Sequence, residues 1–224
     1  TNGYFDTRLP AAQNDELGAI ARMTNQMVDS LQSAQDEVQM TRDVAIVSIA
    51  ALAESRDNET GEHILRTQEY VKALALQLSE HAKYVSLLTP DYIDLLHKSA
   101  PLHDVGKVGI PDSVLLKPGK LTDEEFEVMK GHVQIGADAL SIAEKRMGES
   151  SFLTLAREIA LTHHEKWNGS GYPNALKGEE IPLSGRLMAL ADVYDALTTK
   201  RVYKPAFSHD EAKLIILQDT GKHF

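Results

Sequence analysis

Apolar residues recur at steps of three and four along most of this chain, and nowhere does a bounded run alternate apolar and polar residues. The pattern predicts an all-α fold. A first helix is expected from about Asp15, where Met27, Leu31, Ala34, Val38, Thr41 and Ala45 alternate steps of four and three. Such a series is a heptad seam, and Gln32, Gln35, Asp36 and Glu37 lie between its positions as a parallel two-stranded coiled coil requires. A helix packed on its own domain is the competing reading of the same residues. From Val44 to Ala53 the sequence VAIVSIAALA is apolar nearly all round, which predicts entry into a globular core. The domain boundary is therefore expected near residue 42, with a helical segment over 1–41 and a globular domain over 42–224.

Start signals for further helices recur downstream. Thr89-Pro90 is a cap followed by proline at the first helical position, and Thr122 with Glu125, like Ser208 with Glu211, has the capping-box spacing. The segments LLHKSAPLHD, EEFEVMKGHVQIGADAL, SFLTLAREIALTHHE and SGRLMALADVYDALTT carry helical periodicity between them. Turn-rich loops are expected from Gly106 to Gly119 and from Trp167 to Pro182, next to the most polar short motifs. Loops on a rigid scaffold are where function concentrates.

Composition narrows the chemistry. The chain has 224 residues, room for one ordinary domain and something smaller. It contains no cysteine, which excludes disulfides, thiol nucleophiles and zinc ribbons, so that any metal must be held by nitrogen and oxygen. The formal net charge of −10 argues against a nucleic-acid polymer as partner, while an anionic substrate would need metal ions or local cations to receive it. No run of apolar residues is long enough to span a bilayer. The chain opens at Thr1 without methionine, and is expected to be part of a longer protein.

Five of the nine histidines stand near another potential ligand: His63 after Glu59, His103 beside Asp104, His132, and His163-His164 before Glu165. Asp192 and Asp195 follow on a later helix. Glu59 and His63 are i and i+4, so on a helix they share a face. His103 and Asp104 diverge by about 100° on a helix, which suits a cluster of ions in which a carboxylate bridges two metals and its neighbour caps one. Taken singly, each residue is as well explained by a cap or a satisfied core group, His132 above all. Glu165 is expected either to orient a histidine or to form a surface salt bridge. The joint pattern, HD then Gly106-Lys107, and 60 residues later HHE then GSGYP, raises the metal reading above these alternatives.

Through LHDVGKVGIPD at 102–112, HHEKWNGSGYP at 163–173 and ADVYDALTTKRVYK at 191–204, the chain resembles the HD-GYP family of bacterial phosphodiesterases, a branch of the HD metal-dependent phosphohydrolases. The resemblance runs from about Ala45 to the last residue. It implies a helical HD-type bundle that hydrolyses cyclic di-GMP to the linear dinucleotide pGpG, and in some members onward to GMP. It places metal ligands at His63, His103, Asp104, His132, His163, His164 and Asp192, with Glu59 completing a third metal position where one exists. It places phosphate contacts at Lys107, Arg201 and Lys204, and a loop of Gly171, Tyr172 and Pro173 at the substrate. His103, Asp104 and Lys107 are then the catalytic core. A ligand set of this size exceeds one ion, so two or three divalent ions are expected, iron or manganese before zinc, nickel or cobalt. Water activated by the cluster serves as nucleophile, and no side chain need do so.

The segment DELGAIARMTNQMVDSL at 15–31 is similar to the second half of a HAMP module, the dimeric helical relay found inside bacterial membranes. That resemblance implies a homodimer, an upstream transmembrane sensor, and a cytoplasmic catalytic domain anchored to the inner membrane. Two other readings of function stand beside the first: a non-catalytic nucleotide- or protein-binding signalling module, and a hydrolase of another cyclic dinucleotide.

Overall fold

The computed structural model describes residues 7–12, 14–56, 62–147, 151–200 and 206–224. Among them the regular structure is helical, with one isolated bridge between Asn168 and Lys177. The helices are α1 (Glu16–Glu54), α2 (Glu62–Ser79), α3 (Pro90–Ser99), α4 (Asp112–Leu115), α5 (Asp123–Met147), α6 (Ser151–Thr162), α7 (Leu183–Thr198) and α8 (His209–Gln218). None is long and apolar enough to cross a membrane. Contacts divide the chain into two compact units, Thr1–Ala45 and Ile46–Phe224.

The expected caps form. Thr89 accepts from the Tyr92 amide ahead of Pro90, Thr122 and Glu125 exchange bonds of 2.7 and 3.3 Å, and Ser208 and Glu211 do the same. In the first unit the chain before α1 is pinned along it: Arg8 donates to Asp29 through Nε and Nη2 at 3.0 and 2.6 Å, and Asn25 pairs in both directions with the Leu9 backbone. The seam residues Met27, Leu31 and Val38 are exposed in the single chain.

The second unit is built on three apolar clusters, the smallest of them Ile110, Val114 and Leu115. Val71 and Ala75 of α2, Ile93 and Leu96 of α3, Leu155 and Ile159 of α6, and Leu187 and Met188 of α7 form the largest one. The second joins Ala50, Ile64, Leu102, Leu140 and Ala156. Burial of each large side chain contributes about 1.5 to 3 kcal/mol, enough to fix helix rotation. The run VAIVSIAALA departs from expectation. Ala50 and Ala53 are buried, but Val44, Ile49 and Leu52 are exposed. Only one side of that stretch meets the second cluster, so apolar composition overstated its burial. The Gly106 to Gly119 region is also more regular than a loop, holding a 3-10 turn at Val105–Gly109 and then α4.

Candidate metal centre

Each candidate ligand rides on an element whose packing fixes its direction. On α2, His63 begins the buried stripe His63, Ile64, Thr67, Val71 and Ala75, and Thr67 Oγ1 donates back to the His63 carbonyl at 2.9 Å. On α6, His163 follows the buried pair Ile159 and Ala160, just beyond the helix end. His132 lies on the buried face of α5 with Val133, Ala137 and Leu140. His103 and Asp104 sit between two 3-10 turns, the second of which closes on α5 because Gly106 meets that helix backbone to backbone. A Cβ at Gly106 would collide with the His132 carbonyl oxygen and stand 2.5 Å from the Gly136 amide nitrogen. The glycine after HD is thus what lets the Asp104 segment reach His132.

The imidazoles are held by one nitrogen each. Nδ1 of His103 lies 3.0 Å from the Ala100 carbonyl, Nδ1 of His132 lies 2.7 Å from the Met129 carbonyl, and Nδ1 of His163 lies 3.1 Å from those of Ile159 and Ala160. Carbonyl oxygens only accept, so each Nδ1 donates and each Nε2 carries the lone pair. Nε2 of His103, His132 and His163 is buried without a hydrogen-bond partner. Buried orphan nitrogens are costly unless something else fills their lone pairs, and a ring fixed through its second nitrogen is how proteins present a metal ligand. Burial drives the His103 imidazole down to about 3, and it holds His164 well below the ordinary range, so both are neutral at physiological pH.

The ligand atoms fall into two neighbouring groups, each within 4.8 Å: Asp104, His132, His163 and His164 in one, Glu54, His63 and His103 in the other. The Asp104 carboxylate faces both. Its Oδ1 lies 3.1 Å from His132 Nε2 and 3.4 Å from His163 Nε2, while Oδ2 lies 3.5 Å from His103 Nε2 and 2.8 Å from Lys107 Nζ. Burial alone would raise the Asp104 pKa, but the Lys107 ammonium beside it holds it well below the usual carboxylate range. Asp192 Oδ1 reaches to 3.6 Å from His63 Nε2. The donor set is all imidazole nitrogen and carboxylate oxygen, and it fits divalent ions of the first transition row.

The structure thus gathers His63, His103, Asp104, Lys107, His132, His163, His164 and Asp192. Glu59, Arg201 and Lys204 lie outside the described residues. Of three further participants, sequence reasoning named Asp195 without a role and missed Arg66 and Glu54. Asp195 is buried, receives His63 Nδ1 at 2.8 Å, and takes the Arg66 guanidinium through Nε at 2.6 Å and Nη2 at 3.0 Å. Although burial opposes ionisation, the His63 and Arg66 bonds bring its pKa to about 2. The signal was present in spacing: Asp195 is i+3 from Asp192, and Arg66 i+3 from His63. Glu54, a charge closing an apolar run, is the third; it is 2% exposed.

Glu165 takes neither of its expected roles. It is buried, and its carboxylate accepts from the amides of Asn174 at 2.7 Å and Leu176 at 3.0 Å. It therefore organises the loop that carries Gly171, Tyr172 and Pro173, and a Cβ on Gly171 would strike the Glu165 and Lys166 backbone. That loop folds Tyr172 flat on His164, with ring centroids 4.8 Å apart and planes at 26°. Burial, then the charges of Asp104 and Asp192, push the Tyr172 phenol upward and keep it protonated. Phe126 and Lys130 flank it, Lys130 Nζ lying 5.6 Å from the Tyr172 centroid.

Residues 49–224 match the HD domain family. The chain belongs to the HD domain family. Over all 224 residues this HD domain protein is 72% identical to a Vibrio cholerae serotype O1 protein named cyclic di-GMP phosphodiesterase, of which the match covers 46%. It is 58% identical over 189 residues, 84% of the chain and 43% of the relative, to another from that organism named probable cyclic di-GMP phosphodiesterase. A third, named 3′3′-cGAMP-specific phosphodiesterase 2, is 38% identical over 220 residues, 98% of the chain and 38% of the relative. The HD domain chain spans less than half the length of these curated relatives.

Proposed function

We propose that the chain is a metal-dependent phosphodiesterase that opens cyclic di-GMP to linear pGpG and can carry hydrolysis on to GMP. One observation carries the reading: fixed imidazole lone pairs converge with Asp104 on one buried centre. The names of the relatives supply the substrate. Two or three divalent ions, iron or manganese, would supply Lewis acidity and an activated water when bound. His63, His103, Asp104, His132, His163, His164 and Asp192 hold them, with Glu59 as a further ligand. Lys107, beside Asp104, neutralises charge on the phosphoryl oxygens, and Arg201 and Lys204 receive the second phosphate. Gly171, Tyr172 and Pro173 form the lip of the site, with Tyr172 closing it over His164 and limiting water. The similarity to a 3′3′-cGAMP-specific relative favours that mixed dinucleotide as the second substrate to examine.

The test is turnover by protein stripped of metal and reconstituted anaerobically with Fe(II) or Mn(II). Cyclic di-GMP should be converted to pGpG, chelation should stop the reaction, and 3′3′-cGAMP should react more slowly. Binding of cyclic di-GMP without turnover at any metal content would identify a non-catalytic signalling module instead.

We also propose that residues 1–41 relay a signal into a catalytic domain over 42–224 as part of a parallel homodimer. Met27, Leu31 and Val38 support this, being exposed and in heptad register, and exposed Leu52 falls seven residues after Ala45 of the same seam. Similarity to a HAMP module supports an upstream transmembrane sensor and a cytoplasmic position for the domain. The chain should sediment as a dimer at micromolar concentration, and a monomer there would remove the seam's role.

A further inference from the structure

We infer that Glu54, the last residue of α1, is a carboxylate ligand of the ion held by His63 and His103. The inference rests on the reading of the centre as a metal site and adds to it a residue that no motif marks. Glu54 Oε1 lies 3.7 Å from His63 Nε2, and one carboxylate oxygen lies within 4.8 Å of a ring nitrogen of each histidine. A separation of 3.7 Å is too long for a hydrogen bond. It is close to the span across one coordination sphere, since donors each about 2.1 Å from an ion stand roughly 3 to 3.5 Å apart. Both histidines commit Nδ1 elsewhere, His63 to Asp195 and His103 to Ala100, which makes Nε2 the ligating nitrogen of each. Nε2 of His103 is buried and has no hydrogen-bond partner.

A carboxylate 2% exposed is a large desolvation cost that a cation offsets. Arg56, two residues on, directs its guanidinium at the carbonyls of Val108 and Ile110 and at Asp112. It thereby straps the end of α1 to the segment following Lys107 and keeps Glu54 in place. An ion between Glu54, His63 and His103 would neighbour the one held by Asp104, His132, His163 and His164, with the Asp104 carboxylate between the two.

Counting bound ions tests this without reference to turnover. Metal-free full chain would be titrated with Mn(II) by calorimetry and checked for metal content by mass spectrometry, beside Glu54→Gln and Glu54→Asp. Glu54→Gln should lose one ion per chain, or bind it at least about tenfold more weakly, with binding at the Asp104 group unaffected. Glu54→Asp keeps the charge but withdraws the carboxylate by one methylene; it should fold and weaken the same ion. Wild-type stoichiometry and affinity in either folded variant would overturn the inference, as would a stability change in the metal-free protein with ion binding intact. Wild-type protein that binds no ions would overturn the metal reading itself, a separate outcome.

Discussion

On the proposed reading, Asp104→Ala should abolish hydrolysis of cyclic di-GMP, lowering kcat/KM by about a thousandfold or more. The size of the effect follows from position. One carboxylate lies within 3.5 Å of three imidazole nitrogens and of Lys107 Nζ, and it faces both ligand sets. Its removal would take a carboxylate from between the two ligand groups and the 2.8 Å ion pair from the largely buried Lys107 ammonium. Metal content measured on the same preparation should fall together with turnover, while far-UV circular dichroism retains the helical spectrum, since the apolar clusters do not involve Asp104. Activity within tenfold of wild type would mean that the reaction is centred elsewhere.

The second large effect is on stability. Gly106→Ala should destabilise the fold by at least about 3 kcal/mol, a strain that no rotamer change relieves. The added methyl meets backbone on every side, the His132 carbonyl and the Gly136 amide, so α5 and the Val105–Gly109 turn must separate. For a chain of this size the melting temperature should fall by roughly 6 to 12 °C. Ion affinity should fall as well, because His132 moves with its carbonyl. Gly131→Ala is the matched control: it is next to His132 on α5, nothing lies within 4 Å of its added Cβ, and alanine is the better helix former by about 1 kcal/mol. Equal melting temperatures for Gly106→Ala and wild type would show that the close packing of turn and helix is not needed.

What could be read from the sequence was what is decided locally. Helix caps at Thr89, Thr122 and Ser208 depend on residues three or four apart, and they form as spacing predicts. Histidines standing beside other imidazole or carboxylate groups likewise announced themselves as candidates, and the all-α fold follows from periodicity. The supporting groups did not. Asp195 meets His63 across 132 residues of chain, and Arg66 reaches Asp195 across 129, so only the packing of α2 against α7 pairs them. Glu54 was hidden by its apolar neighbours, whose burial was overestimated at Val44, Ile49 and Leu52 because one helix can turn only one face to a core. Glu165 misled for a related reason: its partners are backbone amides nine and eleven residues on, which have no sequence signature.

The way the imidazoles are fastened bears on how this centre can change over evolutionary time. His103, His132 and His163 are anchored by main-chain carbonyls, which every residue supplies, so substitutions around them leave their tautomers intact. His63 is anchored by the Asp195 side chain, itself gripped by Arg66, and either can be erased by a single codon change. Descendants of such a chain would therefore shed the His63 side of the cluster well before the Asp104 side. Variation in the number of ions among relatives would then begin at a second-neighbour aspartate or arginine, with every histidine still in place.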